Sequence, residues 1–451
     1  MAPDHPGGLS RLDRRALAAI MLAVVLSALD TAIVNTALPA MARQLGTTPS
    51  QSIWVVNAYQ LAVVATLLPL AALGDQFGPK RVFLGGVALY AVASGACALA
   101  QTLPQLVAAR VLQGVGSAGI MCVNVALIRL IFPPHQLGRG VGMNALVVGV
   151  GSSLGPGVAS LVLAVASWPW LFAWNVPLAL LALLLGLRTI PDRGRRAGHA
   201  VDRWTAVLNA LTFAMLIFGL SSAAQRAPAQ TVLLALLLAA VFGALLLRRQ
   251  AAHAAPMLPV DLLRRPLFAL STLTSLCSFT VQGLAFVALP FYFQTVLQRS
   301  AVETGFLLTP WAVVVALMAP LAGTLSDRYP PAVLGGIGLA VLSAGMVSVA
   351  LLPVDADTPQ IVWRMLLCGA GFGFFQSPNL RAMMASAPPE RASGASGMIA
   401  MARLSGQTSG AALVALCLGL GGDRGPIWAV WAGAAFAALA CVASLARLRA
   451  R

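Results

Sequence analysis

The chain has 451 residues, of which 59% are hydrophobic and 9% are charged, whereas a soluble domain carries about a quarter charged residues. This composition excludes a soluble multidomain enzyme. The formal net charge of +16 does not indicate a nucleic-acid partner, because the basic residues are divided among alternate loops and form no single patch. We therefore expect an integral protein of the lipid bilayer.

Apolar runs long enough to cross a hydrocarbon core about 30 Å thick recur along the chain. They predict an all-α polytopic membrane protein with about 14 spanning helices. The predicted spans are residues 16–39, 52–73, 82–101, 105–131, 140–166, 170–188, 205–223, 230–248, 267–292, 303–325, 332–352, 361–385, 392–419 and 426–446. The first run follows a basic N-terminus as in a signal peptide, but it is too long for one and contains Asp30, so we interpret it as an uncleaved first helix.

Basic residues are distributed unevenly between the two sets of loops. With a cytoplasmic N-terminus, the inner segments and the inner ends of the spans carry 22 of the 29 basic residues, three lie elsewhere within spans (Arg110, Arg364 and Arg403), and the outer loops carry four. Cytoplasmic loops are enriched in Arg and Lys. The pattern predicts a multi-pass protein of the cytoplasmic (inner) membrane with both termini in the cytoplasm.

Features of the first six spans recur in the last six. Asp75 follows span 2, and Asp327, with Arg328 beside it, follows span 10, 252 residues later. Gly151 of span 5 is matched by Gly406 of span 13, 255 residues later. The repeat predicts an N-terminal six-helix half in residues 1–190, a cytoplasmic linker with two inserted helices in 191–250, and a C-terminal six-helix half in 251–451. Two repeated halves around a midplane site form a transporter architecture.

Four motifs follow one another through the first half. Span 1 contains LDTAIVNTALP from Leu29 to Pro39, the loop after span 2 contains DQFGPKR from Asp75 to Arg81, span 4 contains RVLQGVG from Arg110 to Gly116, and span 5 contains Gly142, Gly151, Gly155 and Pro156. In this order they resemble the major facilitator superfamily, and within it the 14-span drug/proton antiporters. The resemblance implies the major facilitator fold and transport by alternating access.

The loop and glycine motifs also imply a gating role. Gly78 permits a tight turn, and Asp75 can accept hydrogen bonds from a helix N-terminus and so latch the cytoplasmic face. In span 5, small residues allow helices to approach closely, and Pro156 permits a bend. The residues expected to take part in gating are Asp75, Gly78, Lys80, Arg81, Gly151, Gly155, Pro156, Asp327 and Arg328.

Asp30 is the strongest candidate for proton coupling, because no other predicted span carries an acidic residue away from its ends. Ionisable residues in lipid are costly and usually functional. Desolvation favours a neutral carboxyl, whereas a nearby cation favours a charged one. At 1.5 Å per residue, Asp30 lies about 13 Å and Arg110 about 9 Å from the outer ends of their helices, and the resemblance implies that these helices adjoin. We expect the two residues to pair and to couple protonation to the change of access. A fixed structural ion pair or hydrogen bond is the alternative.

Further polar residues lie within spans and are candidates to line a substrate cavity. An interhelical hydrogen bond is the alternative role for each of them, and for Arg403 helix packing is an equal alternative. The candidates are Asn35, Gln113, Asn124, Gln282, Gln376 and Arg403.

The sequence predicts no cofactor, no metal site and no enzyme activity. Its six cysteines lie in apolar runs without a CxxC pair, and its four histidines lie in loops. Residues 114–119 match the dinucleotide pattern GxGxxG, but they lie in a helix and follow no strand. Residues 151–155 match the GxSxG pattern of hydrolases, but no intramembrane histidine accompanies them.

We therefore expect a monomeric proton-coupled antiporter that exports small lipophilic drugs or metabolites. A symporter or importer on the same fold is the alternative, and a non-transporting membrane sensor is a more distant one. Because a single membrane carboxylate would have to serve both proton and substrate, neutral, monocationic or zwitterionic amphiphiles are expected before dications.

Overall fold

The computed structural model describes residues 10–132, 137–192, 203–224, 227–251, 260–326, 328–387 and 392–449. Helices make up nearly all of these segments. They are α1 Arg11–Gln44, α2 Pro49–Ser52, α3 Trp54–Phe77, α4 Pro79–Ala98, α5 Leu103–Ile131, α6 Leu137–Val165, α7 Trp170–Ala173, α8 Asn175–Thr189, α9 Arg203–Ala224, α10 Ala229–Ala251, α11 Pro266–Phe291, α12 Ala301–Leu325, α13 Pro331–Ala350, α14 Thr358–Ser386, α15 Ala392–Gly421 and α16 Gly425–Ala446. A π-helical turn, Tyr292–Val296, extends α11.

Every predicted span coincides with one of the 14 helices that remain when the four-residue helices α2 and α7 are set aside. Within the described residues, nine helices are long and apolar enough to cross a membrane by length and composition. The all-helical, multi-pass architecture is therefore confirmed, and the number of helices that cross the membrane stays a prediction.

Helix starts follow local chemistry. At the start of α1, the Ser10 hydroxyl accepts a hydrogen bond from the backbone N–H of Asp13 at 3.1 Å, and the Asp13 carboxylate accepts one from the Ser10 N–H at 3.3 Å. Ser300 and Glu303 form the same reciprocal cap at the start of α12. Such caps satisfy N–H groups that the first helical turn leaves free. Proline occupies the first position of α4, α11 and α13, where its missing N–H costs nothing.

Glycines of the two halves make equivalent helix contacts. Gly114 of α5 packs against the backbone of Tyr59 in α3, and Gly369 of α14 packs against the backbone of Trp311 in α12. Likewise α6 approaches α1 at Gly151, and α15 approaches α11 at Gly406. Small residues permit this close approach of helices. The matching contacts agree with the repeat seen in the sequence, and the exact boundaries of the two halves stay predictions.

The two halves meet at the end of the bundle farthest from the start of α1, here called the distal end. One buried apolar cluster combines Leu38 and Met41 of α1 with Leu284 and Phe291 of α11 and Leu418 of α15. At its rim, the Arg43 guanidinium donates to Gln294 Oε1 at 3.5 Å, and Gln294 Nε2 donates to the carbonyl of Thr36 at 3.4 Å. Helices α6 and α12 pack together where Gly305 lies against Pro156 and Ser160. The distal end is therefore closed in this conformation.

Candidate functional site

An ion pair joins Asp30 of α1 to Arg110 of α5 inside the N-terminal half. Arg110 donates through NH1 to Asp30 Oδ2, and the side chains are 0% and 1% exposed, respectively. The two residues thus lie together as the depth estimate from the sequence predicted. Their role in proton coupling is not shown by this contact and stays a prediction.

Amide side chains complete the surroundings of the carboxylate. Asp30 Oδ1 accepts hydrogen bonds from Gln113 Nε2 at 3.0 Å and from Asn175 Nδ2 at 3.3 Å. Gln113 Oε1 in turn accepts from Arg110 NH1 at 2.6 Å, and Gln113 Nε2 also reaches Ser94 Oγ at 3.0 Å. The carboxylate is therefore held by donors from α5 and α8. Such full satisfaction is what a buried charge requires.

Arg110 is held by backbone and aromatic groups as well. Its Nε donates to the carbonyl of Val55 in α3 at 3.0 Å. Its Cζ lies 4.1 Å from the ring centroid of Tyr59 and 5.6 Å from that of Phe172, both within the range of a cation–π interaction. Its NH2 group is buried without a hydrogen-bond partner among the described residues. The NH2 group is therefore a buried donor without an acceptor in the described part of the chain.

Three hydroxyl groups lie next to the ion pair. Tyr59 donates to Ser117 Oγ at 2.8 Å, and Ser27 hydrogen bonds to Ser117 and, at 3.4 Å, to Tyr59. Ser27 lies one helical turn before Asp30, and Ser117 lies one turn after Gln113. We call Ser27, Tyr59 and Ser117 the hydroxyl triad. Tyr59 also belongs to an apolar cluster with Leu404 of α15, so the triad lies between the ion pair and the C-terminal half.

Two of these placements were not foreseen in the sequence. Gln113, a candidate to line the substrate cavity, is fully buried and donates to Asp30, so its contact with the ion pair was unforeseen and its place in a cavity stays a prediction. Asn175 was not singled out as a site residue. In the sequence, Asn175 is an amide that follows the tryptophan-rich segment 168–174 and precedes an apolar run. Only the fold shows that its side chain reaches Asp30 of α1.

The other cavity candidates are dispersed. Asn124 donates to Asn144 Oδ1 at 2.6 Å, an interhelical hydrogen bond of the kind weighed as the alternative. Gln282 Oε1 accepts from Gln407 Nε2 at 2.8 Å, which links α11 to α15. Asn35 is buried, and its Oδ1 has no partner among the described residues. Gln376 and Arg403 are both half-buried.

The gating candidates occupy helix ends and helix contacts. Gly78 has φ +96° at the junction of α3 and α4, a conformation that favours glycine. Lys80 Nζ donates to the carbonyl of Leu187 at 3.3 Å. Arg81 and Arg328 are exposed. The side chain of Asp75 and all of Asp327 lie outside the described residues, so the predicted latch stays a prediction.

In α6, the three gating candidates lie along two helix contacts. Gly151 faces Ala28 of α1, Gly155 faces Ala32 of α1, and the carbonyl of Pro156 faces α12 at Gly305. This part of α6 therefore touches both halves of the bundle, and its gating role stays a prediction.

The two helical halves meet at a closed distal end, and buried polar groups lie inside the bundle. Together these features define a polytopic membrane transporter. The chain belongs to the major facilitator superfamily, whose pattern it matches over residues 20–411. It is therefore a transporter and not an enzyme. It is 51% identical over 411 residues to the uncharacterized transporter YebQ of Escherichia coli (strain K12), covering 91% of this chain and 90% of that protein.

Other similarities are more distant. The chain is 32% identical over 410 residues to the tetracenomycin C resistance and export protein of Streptomyces glaucescens, covering 89% of this chain and 75% of that protein. Among solved structures, it superposes on a bacterial homolog of the human lysosomal transporter Spinster with a TM-score of 0.72 and 16% identity, over 98% of each chain. That structural likeness supports the fold alone.

Proposed function

We propose that the chain is a proton-coupled antiporter that exports small lipophilic drugs or metabolites across the cytoplasmic membrane. The observation that carries this proposal is the buried Asp30–Arg110 pair, since Asp30 is the one carboxylate away from the ends of the predicted spans. The similarity to a tetracenomycin C export protein supports the direction of transport. The resemblance of the sequence motifs to the 14-span drug/proton antiporters supports the proton as the coupling ion.

Protonation of Asp30 would change what holds the N-terminal half together. The charged carboxylate accepts from Arg110, Gln113 and Asn175, and so connects α1, α5 and α8. A proton on the carboxylate removes the charge that Arg110 balances and replaces one acceptor with a donor. Breaking a buried pair on one side is costly, about 3–5 kcal/mol. That cost favours a rearrangement in which Arg110 finds other acceptors.

The free NH2 group and the hydroxyl triad supply the means for such a rearrangement. Arg110 already contacts the carbonyl of Val55 and the ring of Tyr59, so a released guanidinium can stay bonded to α3. Ser27, Ser117 and Tyr59 form a continuous hydroxyl chain beside Asp30. We infer that protons exchange between Asp30 and the interface of the two halves along this triad.

The experiment uses inverted membrane vesicles with an acidic lumen and three probes that share one aromatic body: pyrenebutyrate (anionic), pyrenebutyramide (uncharged) and pyrenebutylammonium (cationic). An antiporter accumulates at least one of them in the lumen while luminal protons leave. Asp30→Asn should abolish gradient-driven accumulation. Asp423→Asn, which makes the same chemical change at an exposed position, should leave it unchanged.

The outcomes separate the alternatives. Equal accumulation by wild type and Asp30→Asn would assign Asp30 a structural role and remove the basis of the coupling proposal. Exit of preloaded probe together with protons would indicate a symporter. Failure of the wild type to move any of the three probes would contradict export of lipophilic molecules.

A further inference from the structure

Arg403 lies on α15 between two packed faces of that helix. Gly406 contacts the backbone of α11, and Leu404 joins an apolar cluster with Tyr59 and Ala118 of the N-terminal half. At 3.6 residues per turn, Arg403 is rotated about 60° from Gly406 and about 100° from Leu404. The helical positions therefore place Arg403 on the side of α15 that lies between its contact with α11 and its contact with the N-terminal half.

Among the residues that the structure describes, no carboxylate forms an ion pair with Arg403. Its Nε is buried and has no hydrogen-bond partner within the described parts of the chain. Asp30 is the one carboxylate away from the ends of the predicted spans, and Arg110, Gln113 and Asn175 already hold it. A cation inside a membrane protein that lacks a counter-charge is costly. An anion supplied by a bound molecule would provide the missing counter-charge.

A pair of amides continues this polar surface. Gln407 lies one turn beyond Arg403 on the same side of α15, and its Nε2 donates to Gln282 Oε1 of α11 at 2.8 Å. Both glutamines are partly exposed. They add neutral donors and acceptors beside the guanidinium without adding a negative charge.

Aromatic rings follow the amides. Phe286 lies one turn after Gln282 on α11, and its ring centroid is 5.8 Å from that of Trp311 in α12. Trp311 is 1% exposed, and its Nε1 is buried without a partner among the described residues. An indole N–H normally finds an acceptor when buried. This donor lies inside the C-terminal half, directly behind Phe286.

We propose that Arg403 binds the negative charge of an amphiphilic organic anion, a carboxylate or an acidic phenol or enol, whose aromatic body extends past Gln407 and Gln282 towards Phe286 and Trp311. The two helical turns from Arg403 to the level of Phe286 span about 11 Å, which suits a molecule of two to four fused rings. This assignment rests on the proposed transport function and names its substrate class. It replaces the expectation of a neutral, monocationic or zwitterionic amphiphile, which treated Asp30 as free to bind substrate.

The test measures binding of the three pyrene probes to purified protein in nanodiscs by fluorescence anisotropy. One hydrogen bond to a charged group contributes about 1.5–3 kcal/mol, so the wild type should bind pyrenebutyrate at least about tenfold more tightly than pyrenebutyramide. Arg403→Gln should remove this preference while the affinity for pyrenebutyramide stays within about twofold. Arg403→Lys should retain part of it, because the charge remains and the planar fork is lost.

Arg364→Gln is the matched control, since Arg364 also lies within a helix of the C-terminal half but donates to the carbonyls of Ser348 and Gln360. It should leave the preference unchanged. Equal affinity of the wild type for the three probes, or a preference for pyrenebutylammonium, would overturn the anion site whether or not the variants fold. Proton-driven accumulation of pyrenebutyramide that Asp30→Asn abolishes would then still uphold the proposed antiport.

Discussion

Gln113 donates its amide to Asp30 Oδ1 at 3.0 Å while its own carbonyl oxygen accepts from Arg110 at 2.6 Å. One neutral side chain therefore contacts both partners of the ion pair. Gln113 lies one turn after Arg110 on α5. The same helix therefore carries the cation and the amide that hydrogen bonds to both charged groups. A glutamine in this position fixes the geometry without adding charge.

Replacement of Gln113 by leucine should therefore destabilise the protein more than replacement of an ordinary interhelical amide. Gln113→Leu keeps the volume roughly constant but removes bonds to both charged groups, and we expect a loss of about 2–4 kcal/mol. Asn124→Leu, which removes a single bond to Asn144, should cost about 0.5–1.5 kcal/mol. Thermal unfolding in detergent measures both, and an equal shift in Tm for the two variants would contradict this role of Gln113.

Replacing one partner of the ion pair should destabilise the protein more than replacing both. Arg110→Gln leaves the Asp30 carboxylate buried without its cation, at an expected cost of about 3–5 kcal/mol. Asp30→Asn combined with Arg110→Gln leaves two neutral amides that can hydrogen bond, so the double variant should recover most of that stability. A double-mutant cycle of unfolding free energies checks this. Additive losses would show that the two side chains are energetically independent.

The double variant should regain stability without regaining proton-coupled transport. Proton-driven probe accumulation should be lost in Arg110→Gln and in the double variant alike, because neither contains the charged pair that responds to a proton. Recovery of folding without recovery of coupling is the expected result. Coupled transport by Arg110→Gln at the wild-type rate would refute the proposed release of Arg110.

The hydroxyl triad gives a prediction with a closely matched control. Tyr59→Phe keeps the ring over Arg110 but removes the hydroxyl that donates to Ser117, so the rate of proton-coupled transport should fall several-fold with little change in Tm. Tyr292 is also buried but packs inside the C-terminal half, away from the ion pair, so Tyr292→Phe should leave the rate unchanged. Equal rates in both variants would remove the triad from the proton route.

Helix contacts at glycine are testable in the same assay of stability. A Cβ at Gly114 would lie 2.8 Å from the Cβ of Ala62 and would also press on the backbone of Tyr59, so Gly114→Ala should cost about 1–3 kcal/mol. A Cβ added at Gly85 on α4 would have no other atom within 4 Å. Gly85→Ala should gain up to about 1 kcal/mol from the better helix former. Destabilisation by both variants to a similar extent would contradict the packing at Gly114.

Much of the helical architecture could be predicted from the sequence, because the length of an apolar run is a local property. Each predicted span coincides with a helix, and the depths of Asp30 and Arg110 followed from counting residues to a helix end. The contacts of Gln113 with the ion pair could not be predicted, because the rotation of a residue about the helix axis decides which neighbours it meets. Asn175 and Trp311 were missed for a related reason. Whether each side chain finds a hydrogen-bond partner depends on helices that are distant in the sequence.

Charge movement gives the last prediction, which joins the proposed antiport to the anion site. Exchange of one pyrenebutyrate for one proton moves two charges across the membrane, exchange of uncharged pyrenebutyramide moves one, and exchange of pyrenebutylammonium moves none. In inverted vesicles without a pH gradient, a lumen-positive potassium diffusion potential of about 60 mV is worth about 1.4 kcal/mol per charge. The limiting accumulation should therefore be about 100-fold for the anion, about tenfold for the amide and about equal concentrations for the ammonium probe. Reversing the potential should empty preloaded vesicles of the anion first. If the anion and the amide respond alike to the potential, then the protein does not move the carboxylate in its charged form, and Arg403 cannot be its binding partner during transport.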